Sequence, residues 1–461
     1  MEFLFGIIIL GIAALCVKAI LFWVYLWQIK EYRLDRFLAE YGDSKKLLKF
    51  WIFGGGRSFK QPKWTAKAIL IFAVVFAVAV VLALPVPYDL TLPFYLVIYL
   101  FSPTLVFLAV FLFKIPTVFT KKIIYFRAAR KIAKMKNLTV VGITGSFGKS
   151  STKEFLAQIL SRKFRVAKTP ANQNTEIGIA KFVLAGLPET AEIFVVEMGA
   201  YKMGEIKRIC GIVKPQIGIL TGIDEQHMAL FGSIENTQKA KFELIENLPK
   251  DGFAVFNGEN KYTRELGEKW RERNHNANMR MYANTANVAN VENLPPHYLL
   301  NLAGVIEVAK YLGMSDVEIE EAIKRIDFSD KGMKTFIGKN NVLVIDDTYS
   351  ANPDGVMAAL DFLARQPRKY KIIIMPCLIE LGLASKEIHR KIGKKIKEVC
   401  DLAIITTRDY FTEIKNEAGS KAILENNSGK VKELLKDKLN SDTVILLEGR
   451  LSQGIISINP L

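Results

Sequence analysis

The stretch Val141–Phe155, VGITGSFGKSSTKEF, sets an apolar run against four small residues and a lysine, then enters a helix-forming segment. Strand, small-residue turn and helix start, in that order, make a phosphate cradle. Backbone N–H groups at a helix N-terminus attract an anion, a lysine reaches its outer oxygens, and a hydroxyl can hold Mg²⁺. Thr144, Gly145, Ser146 and Gly148 would form the loop and Lys149 would bind the β- and γ-phosphates. Ser150 would ligate the metal, with Ser151 beside it. The common GxxxxGK(S/T) spacing needs Gly at 143, where Ile143 stands, and Gly142 lies one position early. A shorter TGxxGK(S/T) form fits. The bland alternative, a chance Gly-Lys-Ser turn, is disfavoured by the surrounding strand and helix. The loop points to a nucleoside triphosphate, ATP first, without naming a reaction.

A second candidate is Glu197, which ends the apolar run EIFVVE. Ligands in parallel α/β sheets gather at the carboxyl ends of strands, where a carboxylate can hold Mg²⁺ or merely cap a loop. The elements that must position these residues alternate. Strands over LTVVGIT, EIFVVEMG, QIGILTGI and FAVFNG are separated by helical stretches, including Lys149 to about Ser161. A second run begins near Phe336 with NVLVIDD, KIIIMP, LAIITT and TVILLEG, again with helices between. This alternation predicts mostly parallel sheets covered by helices on both faces. The expected fold class is α/β: a P-loop parallel-sheet ATPase domain over 137–332, then a Rossmann-like C-terminal domain over 333–461.

Residues 1–136 read differently. Three apolar runs, about 3–27, 68–84 and 92–113, approach or reach the roughly 20 residues that a spanning helix needs. The first lacks a basic start and a small-residue cleavage site, so a retained anchor is expected rather than a signal peptide. The segment 28–67 carries ten Lys/Arg against four acids, and 114–136 carries eight and none. The loop between the second and third runs has one acid and no base. By the positive-inside rule the N-terminus lies outside and everything after Lys114 in the cytoplasm, giving a multi-pass protein of the cell (inner or plasma) membrane. The net charge of +17 is thus largely juxtamembrane and suits anionic lipid. No nucleic-acid recognition pattern accompanies it. Four cysteines, Cys16, Cys210, Cys377 and Cys400, have no CxxC spacing, which argues against a zinc ribbon or a disulfide framework.

Further motifs follow the phosphate loop in order: NQNTEIG (Asn172–Gly178), VVEMGA with GEI (195–206), DEQHMALFGSIENTQKAKFEL (Asp224–Leu244), HYLLNLAG (His297–Gly304), IDDTYSANPDGVMAAL (Ile345–Leu360) and IELG with His389. Together with TGSFGKS they resemble the Mur ligase family, the ATP-dependent amide-forming ligases of peptidoglycan synthesis. The branch most resembled adds D-alanyl-D-alanine to a UDP-muramoyl tripeptide. The resemblance covers roughly 138–461.

It implies ATP and Mg²⁺ as cofactors, with a carboxylate activated as an acyl phosphate before an amine displaces phosphate. By resemblance, Glu197 is a Mg²⁺ ligand and His227 a second. Lys241 matches a lysine that becomes carbamylated and so turns anionic. Asn172 and Asn174 would line the phosphate or substrate side, Asn301 would reach adenine, and Asp347 would meet the nucleotide as the domains close. Asn352 and Pro353 would shape a loop, and His389 has no assigned role.

Four departures limit the match. Spans and a basic loop stand in place of the family's UDP-binding domain. The family's Gly-Arg reads Gly332-Met333, and its LGDM and KGS read MPCL and EGR (Glu448–Arg450). The stretch 257–297 is short for the family, so a peripheral sheet is expected to be missing. Tyr298 replaces an Asn. The expected function is a membrane-anchored ATP-dependent peptide ligase of envelope precursor synthesis. Its carboxylate could be a lipid-linked muropeptide and its amine an amino acid or dipeptide. Two alternatives stand beside it: a poly-γ-glutamate synthase-type ligase and a non-catalytic nucleotide-binding membrane scaffold.

Overall fold

Long apolar segments and an alternating α/β pattern cannot share one core, and the chain divides accordingly. The computed structural model describes residues 2–41, 61–87, 90–171, 173–224, 231–275, 277–283, 296–327, 333–348, 351–379, 381 and 384–457. Two compact units result, Met1–Ile123 and Ile124–Leu461.

In the first unit, helices α1 (Glu2–Ile29), α2 (Leu34–Tyr41), α3 (Ala66–Ala83) and α4 (Thr91–Leu112) precede α5 (Lys114–Lys134), which continues into the second unit. Trp23, Trp27, Ile71, Val75, Val106 and Ala109 form the shared core of this bundle. Its outer side is apolar too, with Leu96, Phe101 and Leu108 exposed. A helix that is apolar all round needs an apolar surrounding. Among the described residues three segments, Gly6–Ile29, Ala66–Ala83 and Thr91–Lys134, are long and apolar enough to cross a membrane by length and composition.

The second unit holds two sheets. The first has strands β1 (Thr139–Thr144), β2 (Val166–Lys168), β3 (Ile193–Glu197), β4 (Ile217–Leu220), β5 (Phe253–Asn257) and β6 (Met279–Tyr282), in order β2-β3-β1-β4-β5-β6. Every pairing is parallel. β3, β4 and β5 are buried along their whole length, as continuous apolar runs covered on both faces must be. The covering helices are α6 (Lys149–Leu160), α7 (Glu176–Ala185), α8 (Glu205–Val213), α9 (Ile234–Glu246), α10 (Lys261–Arg273), α11 (Pro296–Tyr311) and α12 (Asp316–Ile323). Local chemistry starts several of them: the Thr175 hydroxyl accepts from Gly178 N at 3.3 Å, and Ser233 accepts from Asn236 N at 3.2 Å.

The second sheet joins β7 (Lys334–Ile337), β8 (Leu343–Asp347), β9 (Tyr370–Met375), β10 (Leu402–Ile405), β11 (Ala422–Leu424) and β12 (Thr443–Glu448), in order β11-β10-β9-β12-β8-β7. Only the edge strand β7 is antiparallel. Helices α13 (Pro353–Arg365), α14 (Ser385–Val399), α15 (Phe411–Ala418) and α16 (Ser428–Leu435) accompany it. Asn352 caps α13 by accepting from Gly355 N at 2.9 Å, and Pro353 opens that helix, so both shape the loop as the sequence suggests.

The polar stretch 257–297 contributes α10 and the edge strand β6, whose apolar positions pack on β5. One feature differs from the sequence reading. Residues 124–134, grouped above with the membrane region, pack on the central domain. Ala128 and Ile132 are buried with Val183 and Leu187, and the Lys131 ammonium donates to Leu187 O at 2.8 Å. A basic composition hid that apolar inner face.

Candidate phosphate and metal site

Strands β3, β1 and β4 are neighbours, so their carboxyl ends set Glu197, the 145–148 loop and Thr221–Asp224 in one row. This is the topological switch point where parallel sheets bind ligands. Gly145 and Gly148 have φ of +154° and +76°. A Cβ on Gly145 would stand 2.1 Å from Thr221 Oγ1, and one on Gly148 would stand 2.7 Å from Asn301 Oδ1. Both positions therefore demand glycine. The second distance also brings Asn301, on α11, directly against the loop. The loop is held to β4 by Ser146 N donating to Gly222 O (2.7 Å) and by Asp224 N donating to Ser146 Oγ (3.2 Å). The Thr144 hydroxyl donates to Met198 O at 2.9 Å, binding the turn to β3.

Lys149 opens α6 and folds back over the loop, donating to Gly145 O (2.7 Å) and Ser146 O (2.8 Å). Burial lowers its pKa, and the charges of Glu197 and Asp224 oppose that fall. One residue on, Ser150 Oγ donates to Glu197 Oε2 at 3.0 Å. Ser151, half-buried in the first turn of α6, adjoins Ser150.

Glu197 is buried and its carboxylate accepts from three side chains. Lys153 Nζ and Ser150 Oγ reach Oε2, at 3.1 and 3.0 Å, and Asn174 Nδ2 reaches Oε1 at 3.0 Å. Burial pushes its pKa up, but Lys153, Lys149 and Asn174 outweigh it and hold the carboxyl below the usual range. Hydroxyl and carboxylate oxygens side by side suit Mg²⁺, which favours one or two carboxylates completed by phosphate and water. Asn174 thus touches the carboxylate rather than an open substrate face. Asn172 and His227 lie outside the described residues. Among the described residues no group of three His, Cys, Asp or Glu side chains gathers to hold a metal.

Lys153 escaped the sequence reading. It follows Lys149 by one helical turn and looks like a surface charge, yet it is 0% exposed. Besides Glu197 it faces Glu154 Oε1 at 3.6 Å, and Glu154 in turn pairs with Lys168 on β2. Lys153→Met should destabilise the fold by about 3–5 kcal/mol, because it takes the ion-pair partner from the buried Glu197 carboxylate. Calorimetry should show that loss, with part of it recovered in Lys153→Arg.

Lys241, on α9, is 2% exposed, which excludes a solvated helix lysine. Its ammonium lies 5.7 Å from the Phe231 ring centroid. Burial, with the Lys149 charge second, lowers its pKa to about 7 against the pull of Asp224 and Glu205. Burial thus shifts the amine toward its neutral form relative to an exposed lysine. Two residues on, Glu243 accepts from Lys207 N at 2.9 Å and also from Gly204 N, capping α8.

In the C-terminal domain, Asp347 ends β8 directly opposite Glu448 on β12. Burial, then Asp346, raises Asp347 to about 7. Burial, then Asp347, raises Glu448 well above the glutamate range. Neither Glu448 oxygen has a hydrogen-bond partner among the described residues. A carboxyl raised by folding lends stability at low pH that is lost as pH climbs from the ordinary carboxylate range through the folded value. Glu448→Gln should therefore raise Tm at pH 8 more than at pH 4, measured by calorimetry across that range. A cavity of about 310 Å³ separates the two domains, lined by Asp224, Asn260, Pro353, Met357 and Lys391 among others. His389 has a structural place: its Nε2 accepts from Leu378 N at 2.9 Å and its Nδ1 meets Ser385 O at 2.6 Å, fixing the chain at Leu378.

A phosphate loop, an adjoining carboxylate–hydroxyl pair and a buried lysine on one sheet, joined to a second α/β domain, define a two-domain nucleotide-binding protein. Residues 143–298 match the Mur ligase middle domain, and 333–451 match the Mur ligase glutamate ligase domain. The chain belongs to the Mur ligase family. It is 28% identical over 273 residues to the UDP-N-acetylmuramoyl-tripeptide–D-alanyl-D-alanine ligase of a Synechocystis strain, covering 56% of this chain and 60% of that one. The Escherichia coli enzyme of that name is 28% identical over 281 residues, covering 56% and 62%. The chain thus spans about three fifths of the length of these relatives. A crystal structure of MurF ligase from Thermotoga maritima in complex with ADP superposes with a TM-score of 0.65 at 25% identity, covering 74% of this chain and 83% of that one.

Proposed function

We propose that this protein is a membrane-anchored, ATP-dependent ligase that forms an amide (peptide) bond through an acyl phosphate in cell-envelope precursor synthesis. The observation that carries the reading is the joined edge of β3, β1 and β4, where Lys149, Ser150, Glu197 and Lys241 converge. In the reaction the γ-phosphoryl group passes from ATP to a carboxylate oxygen, leaving ADP. The amine nitrogen then attacks the acyl carbon, phosphate leaves with the bonding pair, and the nitrogen loses a proton.

Charge grows on phosphoryl oxygens, so fixed cations and donors carry the rate. Lys149 exchanges its two loop carbonyls for β/γ oxygens. Mg²⁺, held by Ser150 and Glu197, would neutralise phosphate charge, and His227 is assigned to a second metal position. Lys153 and Asn174 keep the Glu197 carboxylate in place. The Lys241 amine, half deprotonated near its depressed pKa, can add CO₂, lose a proton and become an anionic carbamate. Asn301, against the Gly148 turn, is assigned to the adenine, and Asp347 to the nucleotide as the domains close.

The apolar spans support anchoring, with the N-terminus outside and the catalytic domains cytoplasmic. A chain with spans in place of a UDP-binding domain suits a carboxylate held at the membrane, such as a lipid-linked muropeptide, and an amino acid or D-alanyl-D-alanine as amine. The test is ADP release by detergent-purified full chain offered UDP-tripeptide, lipid-linked muropeptide or free glutamate. Turnover on the lipid-linked acid supports the reading. Preference for the soluble tripeptide removes the membrane-substrate clause, turnover on glutamate alone favours a poly-γ-glutamate synthase-type ligase, and binding without turnover favours a scaffold.

A further inference from the structure

Helix α5 has two apolar faces, and only one is used. At about 100° per residue, Ile124, Ala128, Ile132 and Met135 share the face packed into the central domain core. On the opposite side Ile115, Phe119 and Phe126 are 78%, 67% and 68% exposed, with Ile123 beside them. Three large apolar side chains in one outward stripe are unusual on a surface that meets only water.

Two observations say what covers the stripe. It begins three residues after α4 ends at Leu112, so Ile115 stands within about 5 Å of the end of an apolar segment long enough to span a bilayer. The same helix is also one-signed: Lys114, Lys121, Lys122, Arg127, Arg130, Lys131 and Lys134 face no acid between 114 and 136. Lys122 and Arg130 border the stripe by helical position. Apolar and basic residues on one outward face match the boundary between acyl chains and anionic headgroups.

We propose that the Ile115–Phe119–Ile123–Phe126 stripe lies in the headgroup–acyl boundary of the membrane that α4 crosses, with Lys122 and Arg130 against lipid phosphates. α5 is then an in-plane anchor and not a stalk through water. The proposal rests on the membrane reading above, and its test separates the two.

Full-length Phe119→Cys and Phe126→Cys variants would carry an NBD fluorophore, in vesicles of phosphatidylcholine and phosphatidylglycerol. The native cysteines are buried and resist labelling. Phe101→Cys on α4 reports the span, and Lys269→Cys reports water. The stripe positions should emit blue-shifted light and be quenched severalfold more by a shallow nitroxide lipid than by a deep one, whereas position 101 should favour the deep quencher. Adding Lys122→Glu and Arg130→Glu should weaken the shallow quenching. If 101 is quenched while 119 and 126 behave like 269, the in-plane anchor is overturned and the span survives. If 101 is not quenched either, the membrane reading itself fails. A blue shift without quenching that grows with protein density would mean that a second copy covers the stripe, which also overturns the proposal.

Discussion

Replacing Lys149 with Met is expected to slow substrate-dependent ADP release by about 10³-fold, the scale on which a single positioned charge acts in acyl and phosphoryl transfer. The side chain is preorganised: it opens the helix that follows the phosphate loop, and its two bonds to Gly145 O and Ser146 O keep the ammonium over that loop. A methionine fills the same space without the charge. The loss should not come from unfolding, because burial already depresses the lysine's pKa and folding gains little from holding that charge. Single-turnover kinetics beside a calorimetric Tm separate the two causes. A tenfold effect or less would mean that another cation serves the γ-phosphate, and Lys153 is the nearest in sequence on the same helix.

Lys241→Ala should cost about 10²- to 10³-fold for a different reason. On the proposed carbamate role the side chain becomes an anion, and its pKa, lowered to about 7 by burial, leaves part of the amine neutral for that chemistry. A carbamate forms only from the neutral amine, so activity should fall with pH below about 7 and on removal of dissolved CO₂. In the alanine variant, formate or acetate entering the vacated space should restore part of the rate, which a purely structural lysine would not allow. Stability moves the other way. A lysine whose folded pKa is depressed destabilises the fold as pH drops toward that value, so the variant should melt higher at pH 6. Bicarbonate-dependent kinetics and Tm against pH check both signs.

The nucleotide half of the site was legible in the sequence because its chemistry is local. A phosphate loop is one turn between a strand and a helix, so Gly145, Gly148, Lys149 and Ser150 declare it within a few residues. The four inner strands of each sheet were legible for a similar reason, being nearly unbroken apolar runs, whereas the short, partly exposed edge strands β2, β6, β7 and β11 were not. What escaped depends on partners distant in the chain. Lys153 looks like a solvated charge until β3 brings Glu197 against it. Asn174 is expected on the phosphate or substrate side, but that its amide holds the Glu197 carboxylate follows only from the fold. His389 had no role until the loop at Leu378 closed on its ring. Glu448 stood out as an altered motif, but its burial opposite Asp347 follows from the register of β12 on β8. Residues 124–134 were read by their charge, although their inner face carries the packing.

The measurement that bears most directly on the ligase assignment is the fate of carboxylate oxygen. The acid that supports turnover would be supplied with ¹⁸O in both carboxylate positions, together with ATP, the amine and full-length protein, and the released phosphate examined by mass spectrometry. Transfer through an acyl phosphate moves one labelled oxygen from the acid to inorganic phosphate and leaves the other in the amide. One ¹⁸O per phosphate, in step with amide formed, is the expected result. Unlabelled phosphate released alongside ADP would contradict it, and the site would then hydrolyse or merely bind nucleotide without activating a carboxylate.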